Sequence, residues 1–179
     1  LDAQREARFD RMPKISIAVP LYKTPLSYLE ELICSVREQT YGNWELCLSD
    51  GSGEENSALT EALKRYQESD RRIKTVISPV PLKISENTNE ALRVSTGDYI
   101  AFADHDDLLT PDALYECVKA LNEDPKIDAL YSDEDKISMN GKEYFEPHFK
   151  TDFNIDLLCS MNYICHLFVV SRKIMDQVG

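Results

Sequence analysis

The sequence predicts an α/β domain: a mostly parallel sheet with helices on both faces. Short β-rich apolar runs alternate with segments whose apolar residues recur at helical spacing, and no stretch repeats another. Composition agrees, since 179 residues with 42% hydrophobic and 9% aromatic content suffice to bury such a sheet within one domain.

Residues 1–13, charged throughout and ended by Pro13, read as an arm leading into a domain over 14–179. Ile15-Ser16-Ile17-Ala18-Val19 makes a buried first strand closed by Pro20, which has no N–H to give a ladder. Leu29, Leu32, Ile33 and Val36 follow at helical spacing. Residues 44–48 make a second strand that runs into the turn cluster Ser49-Asp50-Gly51-Ser52-Gly53. Ala58, Leu59, Ala62, Leu63 and Tyr66 mark a second helix, 73–77 a third strand, and 87–95 a short helix stopped at Gly97. Residues 99–103 are a fourth strand. A helix then runs from Pro111 to Asn122, with Thr110 as its N-cap, Pro111 at its first position and Asp112 in its first turn. Ala129-Leu130-Tyr131 is a fifth strand, and Asn140-Gly141 signals a hairpin between 136–137 and 143–144. A last amphipathic or strand-like segment covers 163–170.

The formal charge of −12 argues against a nucleic-acid partner, because neutralising phosphates takes clustered Lys and Arg. Anionic ligands would have to come with a metal. No apolar run approaches the roughly 18 residues of a membrane span, and the N-terminus lacks a signal-peptide core. A soluble, cytoplasmic chain is expected, with any association at the inner face of the plasma membrane made through parts outside it. The five cysteines form no CxxC pair; Cys34, Cys47 and Cys117 sit in apolar periodic segments and read as reduced core residues.

The chemistry concentrates where strands end. Tyr99-Ile100-Ala101-Phe102-Ala103 stops abruptly in Asp104-His105-Asp106-Asp107. Helix capping accounts for Thr110 to Asp112 but not for these carboxylates, which repel one another without a cation or a donor-rich ligand. In a parallel sheet, ligands bind beyond the carboxyl ends of the strands. Pro20-Leu21-Tyr22, Asp50-Gly51-Ser52 and Asp104-His105-Asp106-Asp107 all fall at such ends, and their coincidence on one rim outweighs any one of them. Each has a plainer reading: Pro20 as a strand terminator, Asp50-Gly51 as a turn.

Taken together the segments resemble the family 2 glycosyltransferases, which have the Rossmann-like GT-A fold. The resemblance runs over 14–179 and rests on Ile17-Ala18-Val19-Pro20-Leu21-Tyr22, Leu48-Ser49-Asp50-Gly51-Ser52, Asn87-Thr88-Asn89 before Gly97-Asp98-Tyr99-Ile100-Ala101, and Asp104-His105-Asp106-Asp107 with Pro111-Asp112. Tyr131-Ser132-Asp133-Glu134-Asp135-Lys136 and Asn162-Tyr163-Ile164-Cys165-His166 look like the branch that builds bacterial surface polysaccharides, rhamnose-containing ones included. The resemblance implies transfer of a sugar, with inversion, from a UDP-, GDP- or dTDP-linked donor to a saccharide or lipid-linked acceptor. It also implies donor-binding roles for Pro20, Tyr22, Asp50, Asn89 and Asp104. Asp106, with Asp104, would hold Mn²⁺ or Mg²⁺ against the diphosphate. Asn89 reads equally well as a local helix or turn residue.

Departures from the family pattern are also visible. Many relatives carry paired aspartates where this chain has Ser49-Asp50, and His105 fills the variable middle of the metal motif. Asp133, Glu134 and Asp135 suit the acceptor side or a solvated loop before the hairpin, and His148 and His166, without identifiable partners, read as structural. The family's inverting members take their catalytic carboxylate from beyond the position of Gly179, so the base is expected outside this chain. Two other classes fit in part. A metal-dependent nucleotidyltransferase would need a Gly-rich basic phosphate loop near the first strand, and Pro20-Leu21-Tyr22-Lys23-Thr24-Pro25 is not one. A non-catalytic cation-dependent nucleotide-binding module would differ by lacking transfer.

Overall fold

The computed structural model describes residues 1–53 and 57–178. Along them run α1 (Asp2–Glu6), β1 (Ile15–Leu21), α2 (Leu26–Arg37), β2 (Trp44–Asp50), α3 (Ser57–Ser69), β3 (Ile73–Ile77), α4 (Ile84–Val94), β4 (Tyr99–Phe102), α5 (Ala113–Glu123), β5 (Ala129–Tyr131), β6 (Glu134–Ile137), β7 (Tyr144–His148), α6 (Ile155–Ser160), β8 (Phe168–Ser171) and α7 (Arg172–Val178). Gly179, where the predicted domain ends, lies outside the described residues.

Strands pair in the order β3-β2-β1-β4-β8-β5, and β6 and β7 form a separate two-stranded ribbon. β1 is parallel to β2 and β4, and β2 is parallel to β3; β8 runs antiparallel to both β4 and β5. The chain thus winds outward from β1 through β2 to β3, then returns to add β4 on the other side of β1. That reversal leaves a crevice beyond the ends of β1 and β4.

Strand alternation divides the core into two layers. Ile15, Ile17, Val19 and Leu21 of β1 join Leu46 and Leu48 of β2 in a large cluster with Leu29, Leu32, Leu59, Leu63, Leu114 and Val118. Ala18, Cys47 and Ile100 meet Ala91, Val170, Ile174 and Met175 on the opposite side. Small side chains there let α4 lie close. Burial pushes the Cys47 and Cys117 thiols up to about 12, as expected of inert core residues. Cys34, expected beside them, is exposed on α2.

Several sequence expectations shift. Pro20 lies inside β1 rather than ending it, paired with Ser49. Thr110 makes no side-chain cap: α5 begins at Ala113, with Asp112 at the N-cap position. The Thr110 carbonyl instead accepts bonds from Ala113 N and Gln39 Nε2. The segment 163–170 becomes a loop followed by β8, and α6 and α7 were not anticipated. Within the arm, the Phe9 ring packs on Tyr41 and Tyr115.

A polar network closes the opposite end of the sheet. Buried Glu45 accepts from Ser16 Oγ at 2.7 Å and Thr96 N at 2.5 Å, and pairs with Lys14 at 2.5 Å and Lys74 at 2.9 Å. Burial opposes its ionisation, yet the two ammonium groups and these donors outweigh it and hold the carboxyl at about 2.

Candidate functional site

Residues after β1 and β2 interlock at the carboxyl rim. The Leu21 carbonyl accepts from Gly51 N at 3.0 Å and from Asn87 Nδ2 at 2.8 Å. Lys23, held in the left-handed region at φ 51°, donates its N–H to Ser52 Oγ at 2.7 Å. Asp50 is fully buried and its Oδ1 accepts from Ser52 N at 2.9 Å. A Cβ on Gly51 would sit 2.8 Å from Asn87 Cγ, so glycine is what lets α4 approach the turn. Around this knot Asp50 Oδ2, Asn87 Oδ1, Ser49 Oγ and Thr24 Oγ1 are buried without a hydrogen-bond partner among the described residues. Unpaired buried acceptors are costly, and a ligand presenting N–H or O–H groups would relieve them. Pro20, half-buried, pairs with Ser49 near the end of β1, and Tyr22, just past that strand, is 48% exposed.

The acidic turn follows β4 on the other side of β1, about 10 Å from β2 at two strand spacings. Asp104 N donates to Asp107 Oδ2 at 3.2 Å, and Asp107 N to the Asp104 carbonyl at 3.3 Å. His166 reaches this turn from the loop before β8: its Nε2 lies 3.1 Å from Asp104 Oδ2 and its Nδ1 3.2 Å from the Phe102 carbonyl. One carboxylate oxygen from each of Asp104 and Asp107 and one His166 nitrogen all lie within 4.8 Å of one another. Asp106 is exposed and stands outside that group.

The electrostatics follow from these contacts. The His166 hydrogen bond holds the Asp104 carboxyl below its usual range against the opposing effect of burial. Burial raises Asp107. His166 is raised chiefly by its bond to Asp104. Two carboxylates and an imidazole converging at this separation form a donor set that fits a divalent cation.

Other sequence candidates lie elsewhere. Asn89 is exposed on α4, whereas Asn87, two residues earlier, is the buried one. Asp133 and Asp135 are exposed, and Asp133 Oδ1 accepts from Lys150 N at 2.7 Å. Glu134 opens β6, contacting His148 Nδ1 at 3.0 Å, Lys150 Nζ at 3.3 Å and His166 N at 3.4 Å. His148 and His166, expected to lack partners, therefore both face carboxylates. A cleft of about 620 Å³ around α6, lined by Thr151, Phe153, Asn154 and Leu157 among others, shares none of the rim residues.

Comparison with known proteins bears on family and fold. The profile described as "Glycosyl transferase family 2" matches residues 16–179. The protein y4gI of Sinorhizobium fredii is 40% identical over 172 residues, 96% of this chain and 19% of that protein. The O-antigen biosynthesis protein RfbC of Myxococcus xanthus is 34% identical over 173 residues, 97% of this chain and 13% of that protein. The chain thus spans a fifth or less of these relatives. Among solved structures, the mannosyltransferase PcManGT from Pyrobaculum calidifontis, in complex with GDP-Man and Mn²⁺, superposes with TM-score 0.68 at 19% identity, over 99% of this chain and 52% of that one. S. aureus TarS 1-349 gives TM-score 0.69 at 19% identity, over 92% of this chain and 48% of that one. At such identity the likeness is one of fold.

Proposed function

The chain belongs to glycosyl transferase family 2, and from that membership we propose that it transfers a sugar, with inversion, from a nucleoside-diphosphate donor to a saccharide or glycolipid acceptor in cell-surface polysaccharide synthesis. One observation carries the reading: Asp50 with its unpaired oxygen and the Asp104–Asp107 turn stand at the ends of parallel strands on either side of β1, where the strand order reverses. Names among the relatives and neighbours agree in kind. RfbC is named for O-antigen biosynthesis, PcManGT was solved with GDP-Man and Mn²⁺, and TarS was solved with UDP and UDP-GlcNAc.

In this reading Asp50 accepts an N–H from the base. Pro20 and Tyr22 wall the base and ribose, with buried Asn87 rather than exposed Asn89 behind them. Asp104, Asp107 and His166 would hold the cation, Asp104 would also serve the ribose, and exposed Asp106 would meet the cation or the diphosphate. A bound Mn²⁺ or Mg²⁺ supplies charge stabilisation for the departing nucleoside diphosphate. Removal of the acceptor proton is assigned to a base beyond Gly179, and the acceptor approaches past the ribbon that carries Asp133, Glu134 and Asp135. None of the described helices is long and apolar enough to cross a membrane. Catalysis is assigned to the cytoplasmic side, with any membrane contact made outside this chain.

A thermal-shift screen of UDP-, GDP- and dTDP-sugars with and without Mn²⁺ tests the reading, because a ligand that binds only the folded state raises the melting temperature. One donor class is expected to stabilise the protein only when Mn²⁺ is present. If none does, the reading fails.

A further inference from the structure

We propose that the cleft around α6 is a saccharide-binding subsite, separate from the donor rim, in which the Phe153 ring and the Asp152, Asn154 and Asp156 side chains hold an uncharged stretch of the acceptor. The proposal rests on the transferase reading above and adds where the acceptor is gripped.

The lining is the first argument. The cleft, about 620 Å³, brings together the Phe153 ring, the Asp152 and Asp156 carboxylates, the Asn154 amide and the Thr151 and Ser160 hydroxyls. Phe153 is 64% exposed. A pyranose presents a face of C–H bonds rimmed by hydroxyls. The negative face of an aromatic ring attracts those C–H bonds. A few polar groups at the edge of such a ring then fix the hydroxyls.

Unused bonding capacity is the second. The backbone carbonyls of Asp152 and Asp156 accept from Thr151 Oγ1 at 3.0 Å and Ser160 Oγ at 2.7 Å, yet neither carboxylate has a hydrogen bond or ion pair among the described residues. Asn154 Oδ1 caps α6 by accepting from Leu157 N at 2.9 Å, which leaves the amide nitrogen to donate. A hydroxyl both donates and accepts, so it satisfies carboxylate and amide alike. An ammonium or a metal ion would satisfy the carboxylates alone. The two negative charges repel a uronate or a phosphate, which selects an uncharged sugar chain.

The surrounding surface is the third. None of the residues of α6 is buried, and Tyr144, Phe145, Phe149, Ile155 and Met161 are exposed along with Phe153. Large apolar side chains concentrated in one exposed segment mark an interaction surface.

Anchorage is the fourth. Tyr131 OH donates to the Thr151 carbonyl at 2.7 Å, and Tyr163 OH accepts from Asn154 N at 3.0 Å. The two rings meet edge-on at 5.8 Å, and Tyr163 is only 1% exposed. Both ends of 151–154 are therefore tied to the body of the protein. Tyr163 stands three residues before His166, at most about 11 Å of extended chain. That puts the cleft on the approach to the acidic turn that His166 touches.

The test uses the ¹⁵N-labelled chain without Mn²⁺ or nucleotide. It is titrated with gluco-, manno-, galacto- and rhamno-oligosaccharides and with a glucuronate-containing one, and read by amide chemical shifts. At least one uncharged oligosaccharide is expected to shift amides within 151–160, and the glucuronate-containing one to leave them unmoved. Phe153→Ala should weaken the binding about tenfold, the worth of one aromatic contact. The wild-type map is decisive even if that variant fails to fold. The inference is overturned if no uncharged oligosaccharide binds, if the shifts centre elsewhere, if the glucuronate-containing chain binds as well, or if folded Phe153→Ala keeps full affinity. Shifts of the same amides that follow protein concentration without sugar also overturn it, since a second copy then fills the cleft. Nucleotide binding with Mn²⁺, measured on the same sample, decides the donor-site reading separately.

Discussion

Asn87 and Asn89 stand two residues apart on α4 and meet opposite environments, because positions i and i+2 of a helix do not share a face. Asn87 is buried and ties α4 to the Leu21 carbonyl, so Asn87→Ala should destabilise the protein by about 1–3 kcal/mol through lost bonding and packing. Asn89→Ala should stay within about 0.5 kcal/mol, as exposed positions do. Urea titration of the two variants checks this, and equal losses would refute the assignment. Asp50 offers a cleaner functional probe. Asp50→Asn keeps the shape of the side chain and its bond from Ser52 N but removes the charge. Nucleoside-diphosphate affinity should fall about 10- to 100-fold, the worth of a hydrogen bond to a charged group. The melting temperature should hardly move. Calorimetric titration decides, and unchanged affinity would exclude Asp50 from the base contact.

The elements owe their register to contacts at both ends, and the end away from the rim can be tested by pH. Glu45 joins β1, β2, β3 and the turn before β4 through Ser16, Lys74, Lys14 and Thr96. Its carboxyl sits at about 2 in the fold against an ordinary 4.5, so its contribution is complete above about pH 4.5 and is lost as pH falls toward 2. Discounted for partly exposed lysine partners, that contribution is of the order of 2–3 kcal/mol. Urea unfolding at pH 7, 4 and 3 should show wild-type stability falling across this window. Glu45→Gln should be less stable at pH 7 and lack that share of the slope; a parallel fall in both would show that Glu45 is not the group titrating. Gly97 belongs to the same junction: a Cβ there would meet the Lys14 carbonyl and Ser16 Oγ at 2.6 Å, so Gly97→Ala should cost about 1–3 kcal/mol. The strands at 73–77 and 129–131 were legible in the sequence because a β-rich run between turn signals specifies one kind of element. The antiparallel insertion of β8 was not, because strand direction is set by where the 149–167 connection returns, and nothing local encodes that.

At the scale of the whole molecule, the rim was legible because Pro20 and Asp50 lie in the last residues of β1 and β2 and Asp104 just past β4, and the topology carries these parallel strand ends to one side. His166 was not legible. It lies sixty-two residues after Asp104, has no ligand spacing within its own segment, and is aimed by Lys150 and Glu134, which only the folded chain brings beneath it. The same network bears on catalysis. Glu134 is partly buried, which alone would raise it, but its contacts with His148 and Lys150 bring its carboxyl below the usual range, so it is a poor general base. Asp133 is engaged with Lys150 N. Under the proposed reading, with the base beyond Gly179, this 179-residue chain is predicted to bind nucleoside diphosphate with Mn²⁺ while transferring sugar poorly. A positioned general base typically contributes about 10²–10⁴-fold, and loss of acceptor alignment would deepen the deficit. The comparison is turnover of the best-binding donor by this chain and by a polypeptide continuing past Gly179, with donor affinity measured for both. Similar affinity with turnover at least about a hundredfold higher in the longer protein is expected. Equal turnover would place the base within residues 1–179, and Asp135, exposed on β6, would be the next carboxylate to replace.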